Sequence, residues 1–255
     1  MNTNSNLYTF IYASVLVILV AAGLAFTAIQ LKPLQDKNIR IEKMSNILSS
    51  ANIESNAQDA EEKFKQYITS SYAVNTKGEK LEGVDAFTID MVKVGKAIGK
   101  IAELGESKEA ESLKAELQLP VFECTKEGQM FVILPLRGKG LWGPIWGYIS
   151  LESDYNTIFG ASFDHKGETP GLGAEISTKE FQAQFVGKKI YEGEDLVSIT
   201  VHKGSAKAAG DLNHGVDGIS GGTITSKALE AMVRDCLHGY ESFLTTKKSE
   251  TAKTE

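Results

Sequence analysis

The hydrophobic and polar positions divide the chain into an uncharged N-terminal run and a longer mixed part. No charged residue occurs from position 7 to 31. About 20 apolar residues are enough to cross the hydrocarbon of a bilayer as a helix. Tyr8 and Tyr12 stand near one end, and aromatic rings favour the membrane interface. The pattern predicts a short tail at 1–6 and a single transmembrane helix at 7–31. A cleaved signal peptide is the alternative, but the run is longer than a signal core and no Lys or Arg precedes it.

The next part of the chain alternates charged and apolar positions at helical spacing. Residues 39–48 repeat Ile, Met and Leu between charges, and residues 55–70 resemble a short amphipathic helix. Residues 84–119 are rich in Lys and Glu, with a weaker helical period. We therefore expect 32–119 to form a stalk and a helical, polar insertion outside the main domain.

From Pro120 the pattern changes to short β-strands. Apolar runs alternate with turn residues, as in Lys126-Glu-Gly-Gln129, which predicts a hairpin. The predicted strands are 121–122, 130–136, 145–151, 157–164, 181–185, 189–190 and 196–201.

The last predicted element is a helix with an apolar stripe at a period of 3.6 residues. The stripe consists of Ala228, Leu229, Met232, Val233, Cys236, Leu237, Tyr240, Phe243 and Leu244. The polar tail at 247–255 is expected to be disordered. The fold class predicted for 120–246 is α+β, a twisted antiparallel sheet with helices packed on it.

Composition and charge narrow the function classes. The chain has 255 residues and a net charge of -6, which does not suggest a nucleic-acid partner. Its two cysteines, Cys124 and Cys236, are too few for a disulfide framework and lack C-x-x-C spacing. They are expected as buried thiols, with a single disulfide as the alternative. The four histidines are scattered without ligand spacing, and no metal site is predicted.

The segment before the terminal helix carries the most chemistry. It reads Asp217-Gly-Ile-Ser220-Gly221-Gly222-Thr223-Ile224-Thr225-Ser226. Consecutive glycines let the backbone approach a ligand closely, and a helix N-terminus favours a phosphate. The plainer interpretation is a Gly-rich turn with Thr225 or Ser226 as the helix N-cap.

The same segment contains Gly218-x-Ser220-x-Gly222, which fits the nucleophile elbow of a serine hydrolase. An elbow needs a preceding strand, whereas Asn213-His-Gly-Val216 reads as a turn. The acid and base that follow, Asp235 and His238, lie on one helix far from Ser220. A membrane-anchored hydrolase is therefore a weak alternative.

Two further Gly-rich loops precede this segment. Gly138-x-Gly140-x-x-Gly143 matches a dinucleotide fingerprint, but Pro144 and a predicted strand follow where that motif needs a helix. Trp142, Trp146 and Tyr148 alternate as strand residues do, and would form either core or an apolar wall for a flat ring. The other loop, Glu168-Thr-Pro-Gly-Leu-Gly-Ala-Glu175, is a tight turn.

These motifs together resemble the C subunit of the sodium-translocating NADH:quinone reductase over nearly the whole chain. Three motifs carry the resemblance in order: Gly140-Leu141-Trp142-Gly143 with Gly147 and Tyr148, Glu168-Thr169-Pro-Gly171-Leu172-Gly173, and Asp217-Gly-Ile-Ser-Gly-Gly-Thr223.

The resemblance implies a covalent flavin. In the family, a flavin transferase uses FAD to place FMN on the last threonine of Asp-x-x-Ser/Thr-Gly-Ala-Thr and releases AMP. The acceptor here would be Thr223, with Gly222 where the family usually has Ala. The implied cofactor-binding residues are Thr223, Asp217, Ser220, Gly221, Gly222, Ile224 and Thr225 around the attachment point, and Leu141, Trp142, Thr169, Gly171, Leu172 and Gly173 around the isoalloxazine ring.

The implied function is that of an electron carrier without an active site of its own. Its FMN would relay electrons from NADH toward ubiquinone within a complex that exports Na⁺. The implied partners are the other subunits, the transferase and the membrane. Two alternatives stay open: the G subunit of the related Rnf ferredoxin:NAD oxidoreductase, and an anchored adaptor without a cofactor.

The orientation in the membrane has two opposing indications. All the basic residues near the span follow it, namely Lys32, Lys37, Arg40 and Lys43. A literal positive-inside count would place the large domain in the cytoplasm. In the family, however, the transferase works outside the cytoplasm, so Thr223 is expected on the periplasmic side of a bacterial inner membrane.

Overall fold

A computed structural model describes residues 5–251, which form two compact units divided between Lys43 and Met44. Helix α1 begins at Asn6 and ends at Ser50. It contains a stretch of mean hydropathy 2.4 with exposed side chains, which is long and apolar enough to cross a membrane. The predicted span at 7–31 lies within α1, but the helix does not end at 31. It continues through Pro33, so the expected stalk is part of the same helix. Of the predicted tail at 1–6, residues 1–4 lie outside the described part.

The second unit is built on a six-stranded antiparallel sheet with the order β2-β1-β3-β4-β5-β6. Its strands are β1 Ile68–Val74, β2 Lys80–Leu81, β3 Leu119–Lys126, β4 Gln129–Lys139, β5 Pro144–Leu151 and β6 Ile158–His165. Glu127 and Gly128 both have positive φ, at 54° and 80°. This is the conformation that a two-residue hairpin requires, and it confirms the turn predicted between β3 and β4.

The sheet includes strands from the segment that was expected to be an insertion. Both β1 and β2 precede residue 120, and β1 pairs with β3 along its length. Helices α2 Ala60–Tyr67, α3 Met91–Leu104 and α4 Lys108–Glu116 lie in the same segment. The sheet domain therefore does not begin at residue 120 as predicted, because the edge of its sheet is made by residues before α3.

The elements after β6 position the loops discussed below. They are α5 Lys179–Ala183, β7 Tyr191–Glu192, β8 Asp195–Leu196, β9 Thr200–His202, β10 Gly215–Asp217 and α6 Thr223–Thr251. The strand predicted at 181–185 is wrong. Phe181 lies in α5 and Phe185 in the turn after it, and both side chains are buried. The strand predicted at 196–201 is interrupted at Ser198, whose φ is 63°.

The sheet is buried on both faces. Val132, Leu134 and Leu136 of β4 contribute to a core with the apolar stripe of α6. The alternate residues Phe131 and Ile133 face a second cluster that includes Ile47 and Leu48 from the end of α1. The predicted stripe of α6 is confirmed, since every member except the partly buried Ala228 is buried.

The C-terminal tail differs from the prediction. Helix α6 continues to Thr251, and the Lys247 ammonium lies 2.8 Å from the Glu250 carboxylate one turn on. Residues 247–251 are therefore helical and not disordered, because the polar residues continue the helix with side-chain pairs. The rest of the predicted tail, 252–255, lies outside the described residues.

Candidate functional site

The N-terminus of α6 follows a short strand and a tight turn. Strand β10 pairs in parallel with β9, and the chain turns over residues 218–222 before α6 begins at Thr223. Gly221 has a φ of 74°, a conformation that favours glycine. Thr223 and Ile224 are exposed at the start of the helix, where the first N–H groups have no acceptor within the helix.

Gly222 is buried in this turn, in contrast to its exposed neighbours. A Cβ at this position would lie 2.9 Å from Cγ2 of Ile219 and 3.2 Å from the carbonyl carbon of Leu172. The alanine usual in the family would therefore require Ile219 to shift by a few tenths of an ångström. Glycine at position 222, in place of the family's alanine, therefore suits the close approach of Ile219 and Leu172 in this chain.

The hydroxyls of Thr225 and Ser226 point into the protein and do not cap the helix. Thr225 donates to Oε2 of Glu168 at 2.6 Å, and Ser226 accepts from the N–H of Ile219 at 3.1 Å. Both residues lie within the first turn, because α6 begins two residues before Thr225. The interpretation of either residue as the N-cap is therefore wrong.

Glu168 joins all three motifs. Its side chain is buried, with 4% of the residue exposed. While Oε2 accepts from Thr225, Oε1 accepts from the backbone N–H of Trp142 at 2.9 Å. One carboxylate thus links the 140–143 loop, the 168–173 loop and the first turn of α6. No role was predicted for Glu168 from the sequence, although it begins the second motif.

Two glycines of the motifs make room for this carboxylate. A Cβ on Gly140 would lie 2.5 Å from Oε1 of Glu168, and a Cβ on Gly173 would collide with the hydroxyl oxygen of Thr225 and lie 2.7 Å from Oε2. Close approach, and not backbone conformation, therefore explains glycine at both positions.

Exposed apolar side chains surround this junction. We call Leu141, Trp142, Leu172 and Ile224 the apolar rim; their exposed fractions are 45%, 69%, 41% and 62%. Large apolar groups that cluster on a surface commonly mark a binding site. Three rim residues come from the first two motifs and Ile224 directly follows the third, so the contacts of Glu168 hold together the backbones that carry them.

The three aromatic residues, for which core packing and an apolar wall were both open interpretations, do not form a wall. Trp142 lies in the loop before β5, whereas Trp146 and Tyr148 lie on the strand. Trp146 packs beneath Arg137, whose guanidinium carbon lies 5.0 Å from the centre of the Trp146 ring. Tyr148 is buried in the second cluster. Of the three, only Trp142 belongs to the rim, because the strand begins at Pro144.

The second loop is held rigidly by its own backbone. The carbonyl of Thr169 accepts from the N–H groups of Leu172 and Ala174, each at 3.1 Å. Gly171 has a φ of 73°, and its N–H donates to Glu175 at 3.0 Å. Thr169 and Gly171 therefore shape the loop that presents Leu172, and both are exposed.

Asp217 links the turn before α6 to two neighbouring segments. Its Oδ1 accepts from the N–H of Ala206 at 2.7 Å, and its own N–H donates to Gln184 at 2.8 Å. It therefore holds the loop between β9 and β10. A cavity of about 190 Å³ lies between that loop and α6, and its lining includes Lys203, Ser220, Thr223 and Lys227.

The structure does not assemble a hydrolase. A strand, β10, does precede Ser220 where a turn was predicted. However, Asp235 pairs with Arg234 and His238 with Glu241, and both lie about 18–22 Å along α6 from Thr223 at ~1.5 Å per residue. Ser220 therefore has neither group within reach.

Both cysteines are free and buried, which confirms the prediction of buried thiols over a disulfide. Burial raises the pKa of Cys124 to about 11 and that of Cys236 to about 12. Both thiols are therefore unreactive near neutral pH. Among residues 5–251, no group of three or more His, Cys, Asp or Glu side chains is arranged to hold a metal ion.

Comparisons with known proteins agree with this geometry. The family profile described as "FMN-binding domain" matches residues 140–238, which include all three motifs. The C subunit of the Na⁺-translocating NADH-quinone reductase of Vibrio vulnificus is 33% identical over 80% of this chain and 79% of its own length. The corresponding C subunit of Pseudomonas aeruginosa is 30% identical over 95% of this chain and 96% of its own length.

A solved structure supports the fold as well. The crystal structure of the C subunit of Na⁺-translocating NADH-quinone reductase from Parabacteroides distasonis is 43% identical, with a TM-score of 0.70, over 84% of this chain and 97% of that one. A second similar structure, the NqrC of Shewanella oneidensis, has a TM-score of 0.66 at 25% identity over 82% of this chain and 98% of that one.

Proposed function

Since the chain belongs to the C-subunit family of the Na⁺-translocating NADH-quinone reductases, we propose that it carries its FMN covalently, as a phosphoester on Thr223. It is the FMN-binding subunit of such a reductase. This membership favours the C subunit of the reductase over the G subunit of the Rnf complex. FMN accepts one or two electrons. The electrons come from NADH and continue toward ubiquinone, while the complex exports Na⁺.

The observation that carries the attachment site is the junction at Glu168. It ties the two loops that carry Leu141, Trp142 and Leu172 to the first turn of α6, which begins at the exposed Thr223. The rim offers apolar surface to a flat ring, and the start of α6 offers N–H groups to a phosphate. The described residues therefore fit both ends of FMN.

The attachment requires a single exchange at phosphorus. The oxygen of the Thr223 hydroxyl forms a bond to the FMN phosphorus of FAD. The bond from that phosphorus to the bridging oxygen breaks, AMP leaves with this oxygen, and the hydroxyl proton is released. The exposure of Thr223 lets a separate flavin transferase reach it. Thr223 is thus an attachment point and takes no part in electron transfer.

The chain acts within a membrane complex. The apolar stretch of α1 anchors it by a single span in a bacterial inner membrane, beside the other subunits of the reductase. The domain with Thr223 faces the periplasm, since the family's transferase works there.

Covalent attachment is tested by flavin fluorescence in a denaturing gel after co-expression with a flavin transferase. We expect fluorescent bands for the wild type and for Thr246→Ala, which removes an exposed hydroxyl near the other end of α6, and a dark band for Thr223→Ala. A fluorescent Thr223→Ala band would place the flavin elsewhere. Dark bands throughout, with the transferase active on another target, would favour the adaptor without a cofactor.

A further inference from the structure

The cavity beside Thr223 offers a place for a charged group. It holds about 190 Å³ between the turn at 218–221, the first turns of α6 and the residues directly after β9. We propose that this cavity receives the phosphoryl group of the flavin phosphoester and that Lys203 is its counter-cation. This inference rests on the proposed attachment to Thr223 and assigns the residue that binds the phosphate.

Lys203 is held at the cavity by its neighbours in the chain. It follows His202, the last residue of β9, whose carbonyl accepts from the N–H of Gly218 at 2.8 Å. A Cβ on Gly218 would lie 2.5 Å from that same oxygen. The turn before Thr223 and the start of the loop between β9 and β10 are therefore in direct contact, and glycine at 218 permits this contact.

The rest of the loop is tied down on two sides. Asp217 accepts from the N–H of Ala206 at 2.7 Å. Nε2 of His202 lies 2.9 Å from Oδ2 of Asp211 at the far end of the loop. Lys203 therefore extends from a backbone that is fixed beside the attachment point.

The charges around the cavity distinguish its two lysines. The ammonium of Lys227 lies 2.9 and 3.1 Å from the carboxylate oxygens of Glu230, so its charge is already balanced. Lys203 makes no hydrogen bond or ion pair within the described residues 5–251. A phosphodiester carries one negative charge, and the ammonium of Lys203 is the cation that is left to balance it.

The same cation would help the transfer itself. When the Thr223 oxygen attacks, negative charge grows on the phosphoryl oxygens before AMP leaves. A cation placed beside those oxygens lowers the barrier to transfer. Lys203 therefore binds the phosphoryl group both in the product and during its transfer.

The test uses the full-length chain in detergent with three variants. Lys203→Gln removes the charge, Lys203→Arg keeps it, and Lys207→Gln is the matched control, an exposed lysine on the same loop that does not line the cavity. Two quantities are measured for each: the rate of flavin attachment from FAD with purified transferase, and the ³¹P chemical shift of the attached phosphoester.

We expect Lys203→Gln to slow attachment about tenfold, as for loss of a charge-assisted hydrogen bond, and to change the ³¹P shift. Lys203→Arg should stay near the wild type in rate, and Lys207→Gln should match it in both measurements. An unchanged ³¹P shift in Lys203→Gln would overturn the assignment, even if the rate fell. A wild type that takes up no flavin would instead overturn the attachment on which the assignment rests, and the two failures are therefore distinct.

Discussion

Glu168 shows how a single buried side chain can define a surface site. Its two oxygens bind a hydroxyl on α6 and an amide in the loop before β5, from residues 57 and 26 positions away. Buried carboxylates are retained when their acceptor capacity is satisfied. The apolar rim therefore depends on a group that is itself almost inaccessible.

Replacing Glu168 by Ala should destabilise the domain. The N–H of Trp142 would lose its acceptor in a partly buried place and the hydroxyl of Thr225 in a buried one, which costs ~3 kcal/mol for the pair. Glu168→Gln should cost only ~1 kcal/mol, because its carbonyl can accept from Trp142 while its amide donates to Thr225. Urea unfolding of the detergent-solubilised chain, followed by Trp fluorescence, measures both. Equal stability of Glu168→Ala and the wild type would show that the junction is not held by this carboxylate.

These residues were only partly predictable from the sequence. A family resemblance was sufficient to nominate Thr223, Gly221, Leu141, Trp142 and Leu172, all of which are exposed. The role of Glu168 was missed because it depends on contacts between distant segments, and a carboxylate in a Gly-rich turn reads locally as a solvated side chain. The inward hydroxyl of Thr225 was missed for the same reason.

At the scale of elements, the periodicity of apolar residues predicted the helix and strands that pack one face on the core. It failed where contacts between distant segments decide the secondary structure. The stripe of α6 and strands β3 to β6 follow regular apolar spacing, and all were predicted. Strand β1 was missed because its first residues, Ile68-Thr-Ser-Ser71, carry little apolar signal and follow a helix directly. It is a strand because it pairs with β3. Phe181 and Phe185 favour a strand by composition, yet they lie four residues apart and bury one side of α5 and its following turn.

The loop between β9 and β10 is held in part by the side chain of Asp217. Asp217→Ala removes the acceptor of the Ala206 N–H and leaves the pairing of the strands in place. Loss of one charge-assisted hydrogen bond should raise the open population of the loop about tenfold. Trypsin should then cut after Lys203 and Lys207 about tenfold faster than in the wild type. Asp195→Ala, which removes an exposed carboxylate on β8, is the control, and equal cleavage in both variants would contradict this role of Asp217.

At the scale of the whole molecule, the side of the membrane decides whether Thr223 can be modified at all. Four basic residues follow the span, and they favour a cytoplasmic domain. The transferase of the family favours the opposite side. Lys32 lies 2.8 Å from the carboxylate of Asp36, but acidic residues change the positive-inside preference little. The charge pattern and the family resemblance therefore predict opposite orientations, and the accessibility of the domain distinguishes them.

Because both native cysteines are buried, accessibility can be measured by labelling a thiol that is introduced at an exposed position. Because burial raises the pKa of both native thiols to about 11 and 12, neither should react with a maleimide in the folded chain. Glu194→Cys places a new thiol where the side chain is 89% exposed, and Ser5→Cys places one before the span. In right-side-out spheroplasts, a membrane-impermeant maleimide should label Glu194→Cys at once and Ser5→Cys only after lysis. The reverse pattern would place the domain in the cytoplasm, and flavin attachment would then require a transferase that works there.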